Sequence, residues 1–234
     1  ALVCGDVCIW KPSSKTPLCA LACHQIVEDV CKANNLPEGL LNLIIGDDAG
    51  PWISEDPNVA LVSFTGSTKV GRIVGQTVAG RFGKSILELG GNNAIIVTPS
   101  ADLSMVLPGV VFGAVGTAGQ RCTTTRRLIV HSSIYDKTVA ILKNAYSQLT
   151  IGTPLDTNNH VGPLIDEDAV KQFENAIATA KASGCNVIIG GERATVAGFE
   201  NGYYVKPCII EANNDLPIVQ EETFAPILYV MKYD

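Results

Sequence analysis

Short apolar runs alternate with amphipathic stretches along the first 90 residues. Val3–Ile9 is short and apolar and predicts a strand, whereas Pro17–Lys32 places apolar residues four apart and predicts a helix. Three more strands and one helix are predicted in the order Leu41–Ile45, Val59–Phe64, Lys69–Ala79 (helix) and Ser85–Leu89. Strands and helices that alternate with short loops indicate a parallel sheet covered by helices, an architecture typical of dinucleotide-binding domains.

Gly90-Gly91 is the predicted domain boundary, which divides the chain into domains 1–90 and 91–234. The second domain is again α/β. Its predicted strands are Ala94–Val97, Arg127–Val130, Val187–Ile189, Tyr204–Ile210 and Ile227–Met231. Its predicted helices are Asp102–Val115, Tyr135–Leu149 and Asp166–Ala182, the last with Val170, Phe173, Ile177 and Ala180 on one side.

Composition favours a folded core and argues against two classes of partner. Of the 234 residues, 47% are hydrophobic and 17% charged, so a large core is expected. The net charge of -6 and the lack of a basic block argue against nucleic acid and an anionic membrane. No apolar run has the length of a membrane span. The chain starts at Ala1 without an initiator Met, which predicts an internal fragment of a longer protein.

The eight cysteines do not predict a metal site. None form Cys-x-x-Cys, and only His24 lies near the pairs Cys4/Cys8 and Cys19/Cys23. Small buried hydrophobes in a reducing compartment are the favoured interpretation.

Cys122 and Glu88 are the candidate catalytic pair. Cys122 is a thiol in a glycine-containing loop next to Arg121, and Glu88 stands between apolar residues before two glycines. Covalent aldehyde oxidation needs this combination: a thiolate attacks the carbonyl, a hydride leaves, and a base activates water to release the acid. The structural alternatives are a buried cysteine at a turn and a glutamate salt-bridged at a strand end.

Gly66–Gly71 follows an apolar strand and opens a helix, so its backbone N–H groups could bind phosphate. A serine that caps a helix would have the same sequence pattern. Lys11, at the end of the first strand, could reach ribose hydroxyls or a phosphate, or be solvated.

The residues of three stretches, Glu88–Ile96, Gly119–Thr124 and Thr223–Tyr229, are most similar to the antiquitin type of the aldehyde dehydrogenase family, and five segments in the same order as in that family resemble it. They are Trp10–Ser13, Phe64–Gly71, Glu88–Ile96, Gly119–Thr124 and Glu221–Pro226. The resemblance implies NAD(P)-dependent oxidation of an aldehyde or semialdehyde to the carboxylic acid. The implied fold is a parallel-sheet, Rossmann-like NAD(P)-binding domain (1–90) followed by an α/β catalytic domain (91–234), both truncated.

The resemblance also implies residue roles. Cys122 is the nucleophile and Glu88 the base, and Arg121 either binds the substrate tail or holds the loop. The implied cofactor contacts are Lys11, Gly46, Gly50, Gly66, Ser67, Gly71, Leu89, Glu222 and Phe224. The expected cofactor is NAD. NADP stays open, because Ser14 stands where the family commonly has a glutamate that would repel a 2′-phosphate.

The wider expectations concern partners and completeness. We expect a small-molecule aldehyde substrate, a homo-oligomer (tetramer or dimer) as the full-length protein, and a cytoplasmic location with the mitochondrion as the alternative. The family's oxyanion-hole asparagine and C-terminal segment fall outside the chain, so the 234 residues alone are expected to be inactive.

Three rival functions fit the sequence less well. A coenzyme A-acylating semialdehyde dehydrogenase is disfavoured by Glu88. A non-catalytic structural relative is disfavoured by the intact pair for the full-length protein, but not for this truncated chain. A cysteine hydrolase would need a histidine partner, and none of the three histidines stands in a recognisable dyad segment.

Overall fold

Parallel strand pairs and their helices make up residues Ala1–Leu89, the first of two compact units in the computed structural model, which describes all 234 residues. The strands are β1 (Cys8–Trp10), β2 (Leu41–Leu43), β3 (Leu61–Thr65) and β4 (Lys84–Glu88). The helices are α1 (Pro17–Ala33), α2 (Ala49–Glu55) and α3 (Thr68–Gly80). β1 pairs with β2 and β3 with β4, both in parallel, so the predicted parallel pairing is confirmed within two two-stranded sheets.

Two elements of the first unit differ from the sequence prediction. The predicted strand Val3–Ile9 is a 3₁₀ turn at Leu2–Cys4 followed by β1, because Gly5 has a left-handed backbone (φ 87°) that interrupts an extended chain. Helix α2 was not predicted, since its first turn contains Gly50 and Pro51, two residues typical of loops.

Helix α3 packs closely on β3 and β4. Val62, Val74 and Val78 form the buried cluster between them. A Cβ built on Gly71 would overlap the Leu89 side chain, so a larger residue would require Leu89 to move for the helix to approach this closely. The sequence motif Gly66–Gly71 therefore has a packing role in addition to any binding role.

Residues Gly90–Asp234 form the second unit around a five-stranded sheet of order β5-β6-β9-β8-β7. The strands are β5 (Asn93–Val97), β6 (Thr125–His131), β7 (Asn186–Ile189), β8 (Cys208–Glu211) and β9 (Ile227–Tyr233). The helices are α4 (Leu103–Val115), α5 (Ser132–Ser147), α6 (Glu167–Ala182) and α7 (Pro217–Gln220). All neighbouring strands are parallel except β7 and β8, so the edge strand β7 is antiparallel.

The central strands of this sheet are buried. Leu128, Ile209 and Leu228, one from each of β6, β8 and β9, have no exposed surface. Near-continuous apolar runs such as these are expected where helices cover both faces of a parallel sheet. The predicted inner face of α6 is confirmed, because the four predicted residues Val170, Phe173, Ile177 and Ala180 are all buried.

The predicted strand Tyr204–Ile210 is shorter in the structure. Pro207 has no N–H to donate to a sheet, and β8 begins only at Cys208. Upstream of it, Val205 forms an isolated antiparallel bridge with Arg193. The four-residue helix α7 was not predicted, because one turn leaves no apolar period to detect. No helix has both the length and the apolar character needed to cross a membrane.

Candidate active site

The loop that carries Cys122 begins with strained backbone. After α4, Thr117, Ala118 and Gly119 are left-handed in succession, with φ of 53°, 53° and 70°. Non-glycine residues rarely adopt this conformation, which costs of order 1–3 kcal/mol each and is concentrated at functional sites. The Gln120 side chain then ties the loop to the segment before α6, because it donates to Pro163 O (3.3 Å) and accepts from Ile165 N (2.9 Å).

The carbonyl groups around Cys122 are held by two side chains. The Asn93 amide donates to Cys122 O (2.7 Å) and Thr124 O (3.0 Å). The Arg126 guanidinium donates to Gly119 O and Arg121 O, both at 3.3 Å. In a trans peptide the N–H points away from the C=O, so fixing Arg121 O directs the Cys122 N–H away from Arg126.

The Cys122 side chain is therefore accessible to a reactant. Its thiol is free and the residue is exposed, and its backbone N–H forms no hydrogen bond within the chain. An N–H held in this way could donate to an oxyanion that forms when the thiolate attacks a carbonyl.

The segment from Glu222 to Ala225 lies against this loop. Arg126 donates to Thr223 O (2.6 Å) and to Glu222 Oε1 (3.2 Å), and its Cζ lies 5.4 Å from the centre of the Phe224 ring. A Cβ built on Gly119 would overlap the Ala225 carbonyl group. The second unit thus brings together three of the predicted site residues, Cys122, Glu222 and Phe224.

Arg126 is the functional candidate that sequence reasoning missed. It is 2% exposed, and burial lowers its pKa although the Glu222 carboxylate acts in the opposite direction. The sequence did contain a signal for this role. Arg126 stands at the start of an apolar strand, and a charge that becomes buried there requires partners.

The Arg121 side chain folds back onto the protein. Its Nε donates to Thr117 Oγ1 (2.8 Å), and its Cζ lies 5.4 Å from the centre of the Phe112 ring. This is the loop-holding arrangement that we considered from sequence, and its role toward a substrate stays a prediction.

Glu88 ends β4 in the first unit. Its backbone oxygen accepts from Gly66 N (3.0 Å), which places it beside the loop that opens α3. The residue is exposed, and its carboxylate forms no hydrogen bond or ion pair within the chain. The alternative of a glutamate salt-bridged at a strand end is therefore not observed.

The predicted cofactor residues of the first unit lie near the carboxyl ends of strands. Ser67 caps α3, because its Oγ accepts from Val70 N (3.3 Å), and Lys11 directly follows β1. Gly46 follows β2, and Gly50 lies in the first turn of α2. In open parallel sheets, ligands bind outside the carboxyl ends of the strands, so this placement suits a dinucleotide.

A cavity of about 650 Å³ opens beside the loop that carries Cys122. Gln120, Leu164, Phe199, Tyr204 and Phe224 contribute to its lining, which is mostly apolar. Such a surface suits a flat ring or an aldehyde chain.

The sequence profile of the aldehyde dehydrogenase family matches residues 1–234, the whole chain. The chain belongs to the aldehyde dehydrogenase family, as its motifs predicted.

Among its relatives are a putative aldehyde dehydrogenase family 7 member A1 homolog of Caenorhabditis elegans, 51% identical over 237 residues, and α-aminoadipic semialdehyde dehydrogenase of Rattus norvegicus, 50% identical over 235 residues. Both alignments include 100% of this chain but only 44% and 43% of those proteins, so the chain spans less than half the length of these relatives. The predicted resemblance to the antiquitin type is confirmed.

A solved structure supports the fold. The crystal structure of betaine aldehyde dehydrogenase from Staphylococcus aureus, in complex with NAD+, superposes with a TM-score of 0.91 at 30% identity. The match covers 97% of this chain and 45% of that one. The predicted α/β fold class, with parallel-sheet elements, is confirmed.

Proposed function

We propose that the protein carrying this chain oxidises an aldehyde or semialdehyde to the carboxylic acid, with NAD as the hydride acceptor and a thioester on Cys122. The observation that carries the proposal is the exposed Cys122 with an unpartnered backbone N–H in a loop held from within the protein. Family membership and the NAD+ complex of a similar enzyme support the reaction class.

We further propose that residues 1–90 bind NAD(P) and residues 91–234 carry the catalytic nucleophile. The residues present fit the cofactor. The N-terminus of α3, with Gly66 and Ser67, offers N–H groups to a pyrophosphate, and Gly71 and Leu89 pack the helix onto the strand behind it. Lys11 would hold the adenosine ribose, and Gly46 and Gly50 would lie beside it.

Within residues 91–234, Glu222 would hold the nicotinamide ribose and Phe224 would contact the ring. The Glu222 carboxylate is already oriented by Arg126, and the Phe224 side chain is 43% exposed and lines the apolar cavity. When bound, NAD accepts the hydride that leaves the substrate carbon. Ser14 leaves NADP as the alternative cofactor.

The chain's own residues would act in sequence. The Cys122 thiolate attacks the aldehyde carbon, and its backbone N–H donates to the oxygen that becomes negative. After the hydride has left, the product is a thioester. Glu88 takes a proton from water, the water attacks the thioester, and the acid and the thiolate are released.

The substrate proposal rests on Arg121. A guanidinium next to the nucleophile suits a semialdehyde with a carboxylate tail, and the relatives' name, α-aminoadipic semialdehyde dehydrogenase, agrees with such a substrate. To bind it, Arg121 would leave its contacts with Thr117 and Phe112. Arg121→Met should then cost about 1.5–3 kcal/mol in kcat/KM on an amino-acid semialdehyde and little on an aliphatic aldehyde. Equal losses on both would assign Arg121 to the loop.

We also propose a homo-oligomer, dimer or tetramer, located in the cytoplasm, with the mitochondrion as the alternative. Both proposals rest on the family resemblance, and size-exclusion chromatography and fractionation of the full-length protein test them.

The reaction itself is tested in a full-length protein that carries this sequence. Cys122→Ala should abolish turnover and leave NAD binding intact, while Cys185→Ala, at a partly exposed thiol, serves as the control. Glu88→Gln should lower the steady-state rate by roughly 10²–10⁴ and produce a burst of NADH before it, because the thioester accumulates. A burst that survives Cys122→Ala would overturn the proposal, and release that depends on coenzyme A would favour the acylating alternative.

A further inference from the structure

Arg126 is the only charged residue that is buried. Its Nη1 donates to Thr223 O (2.6 Å) and Ala225 O (3.4 Å). Its Nη2 donates to Gly119 O, Arg121 O and Glu222 Oε1, at 3.3, 3.3 and 3.2 Å. One guanidinium therefore bonds to both sides of the site: two carbonyls of the nucleophile loop, two carbonyls of the 223–225 segment, and one carboxylate.

We propose that Arg126 is a positioning residue that couples the geometry of the Cys122 loop to that of Glu222. This inference rests on the proposed function, in which Cys122 is the nucleophile and Glu222 holds the cofactor. By fixing Arg121 O, Arg126 directs the Cys122 N–H toward the side where the oxyanion forms. By pairing with Glu222 Oε1, it sets the direction of the carboxylate that would meet the ribose.

The second carboxylate oxygen has a fixed place as well. A Cβ built on Gly90 would overlap Glu222 Oε2, so the carboxylate fits between the Arg126 guanidinium and bare backbone. Both carboxylate oxygens thus have a close neighbour, although the Glu222 side chain is 24% exposed, and a turn of the carboxylate would break its bond to Arg126. This is the physical basis of the coupling, because a displacement of the guanidinium by the Cys122 loop would also change its bond to the Glu222 carboxylate.

The planar fork of arginine is essential to this arrangement. Two nitrogen atoms of one rigid group reach acceptors on separate segments, whereas the lysine ammonium is a point charge with three donors. Removal of the fork would leave Gly119 O and the Glu222 carboxylate without a hydrogen-bond partner in the chain, whereas Arg121 O, Thr223 O and Ala225 O would each keep a backbone N–H donor. An unpaired acceptor is costly wherever water cannot replace the lost donor. Nε contributes nothing, because it is buried without a hydrogen-bond partner.

A purely structural brace would have different consequences. It would lower the stability of the second unit and leave the relation between Glu222 and cofactor affinity unchanged. Coupling predicts instead that the effect of a Glu222 substitution depends on whether Arg126 is present, which a double-mutant cycle measures directly.

The experiment is a cycle of Arg126→Met and Glu222→Gln in a full-length protein carrying this sequence. The NAD dissociation constant is measured by calorimetry, and kcat, KM and the burst rate are measured separately. We expect Glu222→Gln to weaken NAD binding about 10-fold in the parent protein and less than 2-fold in a protein that already carries Arg126→Met. We expect Arg126→Met alone to slow the burst by about 10²-fold, the size of one lost oxyanion donor.

Arg127→Met is the matched control. Arg127 is the next residue in the same strand, but it bonds to Asn92 O and Asn214 Oδ1 and touches neither the Cys122 loop nor the 222–225 segment. Its effect on NAD affinity should therefore add to that of Glu222→Gln. Arg126→Lys, which retains the charge, replaces Arg126→Met in the cycle if the latter does not fold, and it should recover only part of the burst rate.

The outcomes separate this inference from the proposed function. Additive effects of the Arg126 and Glu222 substitutions on NAD affinity, with Cys122→Ala still inactive, would overturn the coupling alone. Turnover in Cys122→Ala would remove the proposed function itself.

Discussion

Gly119→Ala should destabilise the second unit more than a substitution of glycine by alanine at a comparable backbone angle in open space. Gly119 has φ of 70°, and an alanine forced into the left-handed region loses about 1–2 kcal/mol. A Cβ at this position would also overlap the Ala225 carbonyl group and approach Pro226 N at 2.6 Å. Backbone atoms cannot rotate away as a side chain can, so the loop or the 225–226 segment must shift, at a further cost of about 1–3 kcal/mol.

Gly184→Ala separates these two contributions. Gly184 follows α6 with φ of 83°, and a Cβ there would meet nothing within 4 Å. It therefore carries the backbone cost without the collision. The loss in the free energy of unfolding should be about 1–3 kcal/mol larger for Gly119→Ala than for Gly184→Ala.

Hydrogen exchange of the β6 and β9 amides in low urea measures this difference, because these buried strands report opening of the second unit. The rate at which iodoacetamide alkylates Cys122, followed by peptide mass spectrometry, should also differ from the parent rate in Gly119→Ala and equal it in Gly184→Ala. Equal destabilisation by the two variants would mean that the nucleophile loop and the 225–226 segment are not packed backbone to backbone.

Three further outcomes are expected in the second unit. Asn93→Ala unpairs two loop carbonyls and should speed hydrogen exchange of the nucleophile loop, at a cost of about 1–3 kcal/mol; an unchanged exchange rate would contradict that anchoring role. Burial raises the pKa of the Cys208 thiol to about 12 from 9.0, so the folded chain keeps a proton that the unfolded chain loses. The free energy of unfolding should thus fall between pH 9 and 12. Measured by urea unfolding, this decrease with pH should be shallower in Cys208→Ala, by up to about 1.4 kcal/mol per pH unit. Tyr135→Phe removes the 2.9 Å hydrogen bond to Glu211 and should cost about 1–2 kcal/mol in urea unfolding, whereas Tyr203→Phe, at a partly exposed position, should cost little.

The local patterns of the sequence were sufficient for most of the helices and strands and for the motifs. The apolar period of α6 predicted its buried face, and the alternation of strands and helices predicted parallel pairing, because both follow from the 3.6- and two-residue repeats of the chain. Cys122 and Glu88 could be selected because their flanking residues resemble a family. Their catalytic roles remain predictions.

Only the tertiary structure decided how distant segments meet. The sheet order β5-β6-β9-β8-β7 joins strands that are separated by as many as about 100 residues, and no local pattern records such pairing. Arg126 looks in sequence like a surface arginine near a strand, yet its bonds to Glu222 and Thr223 bridge 96 and 97 residues. Likewise, the need for glycine at position 119 comes from Ala225, a contact that exists only after the chain has folded. The sequence determined which residues could take part in the chemistry. The tertiary structure decided which of them the buried Arg126 holds in place, because long-range packing selects hydrogen-bond partners that local propensity does not specify.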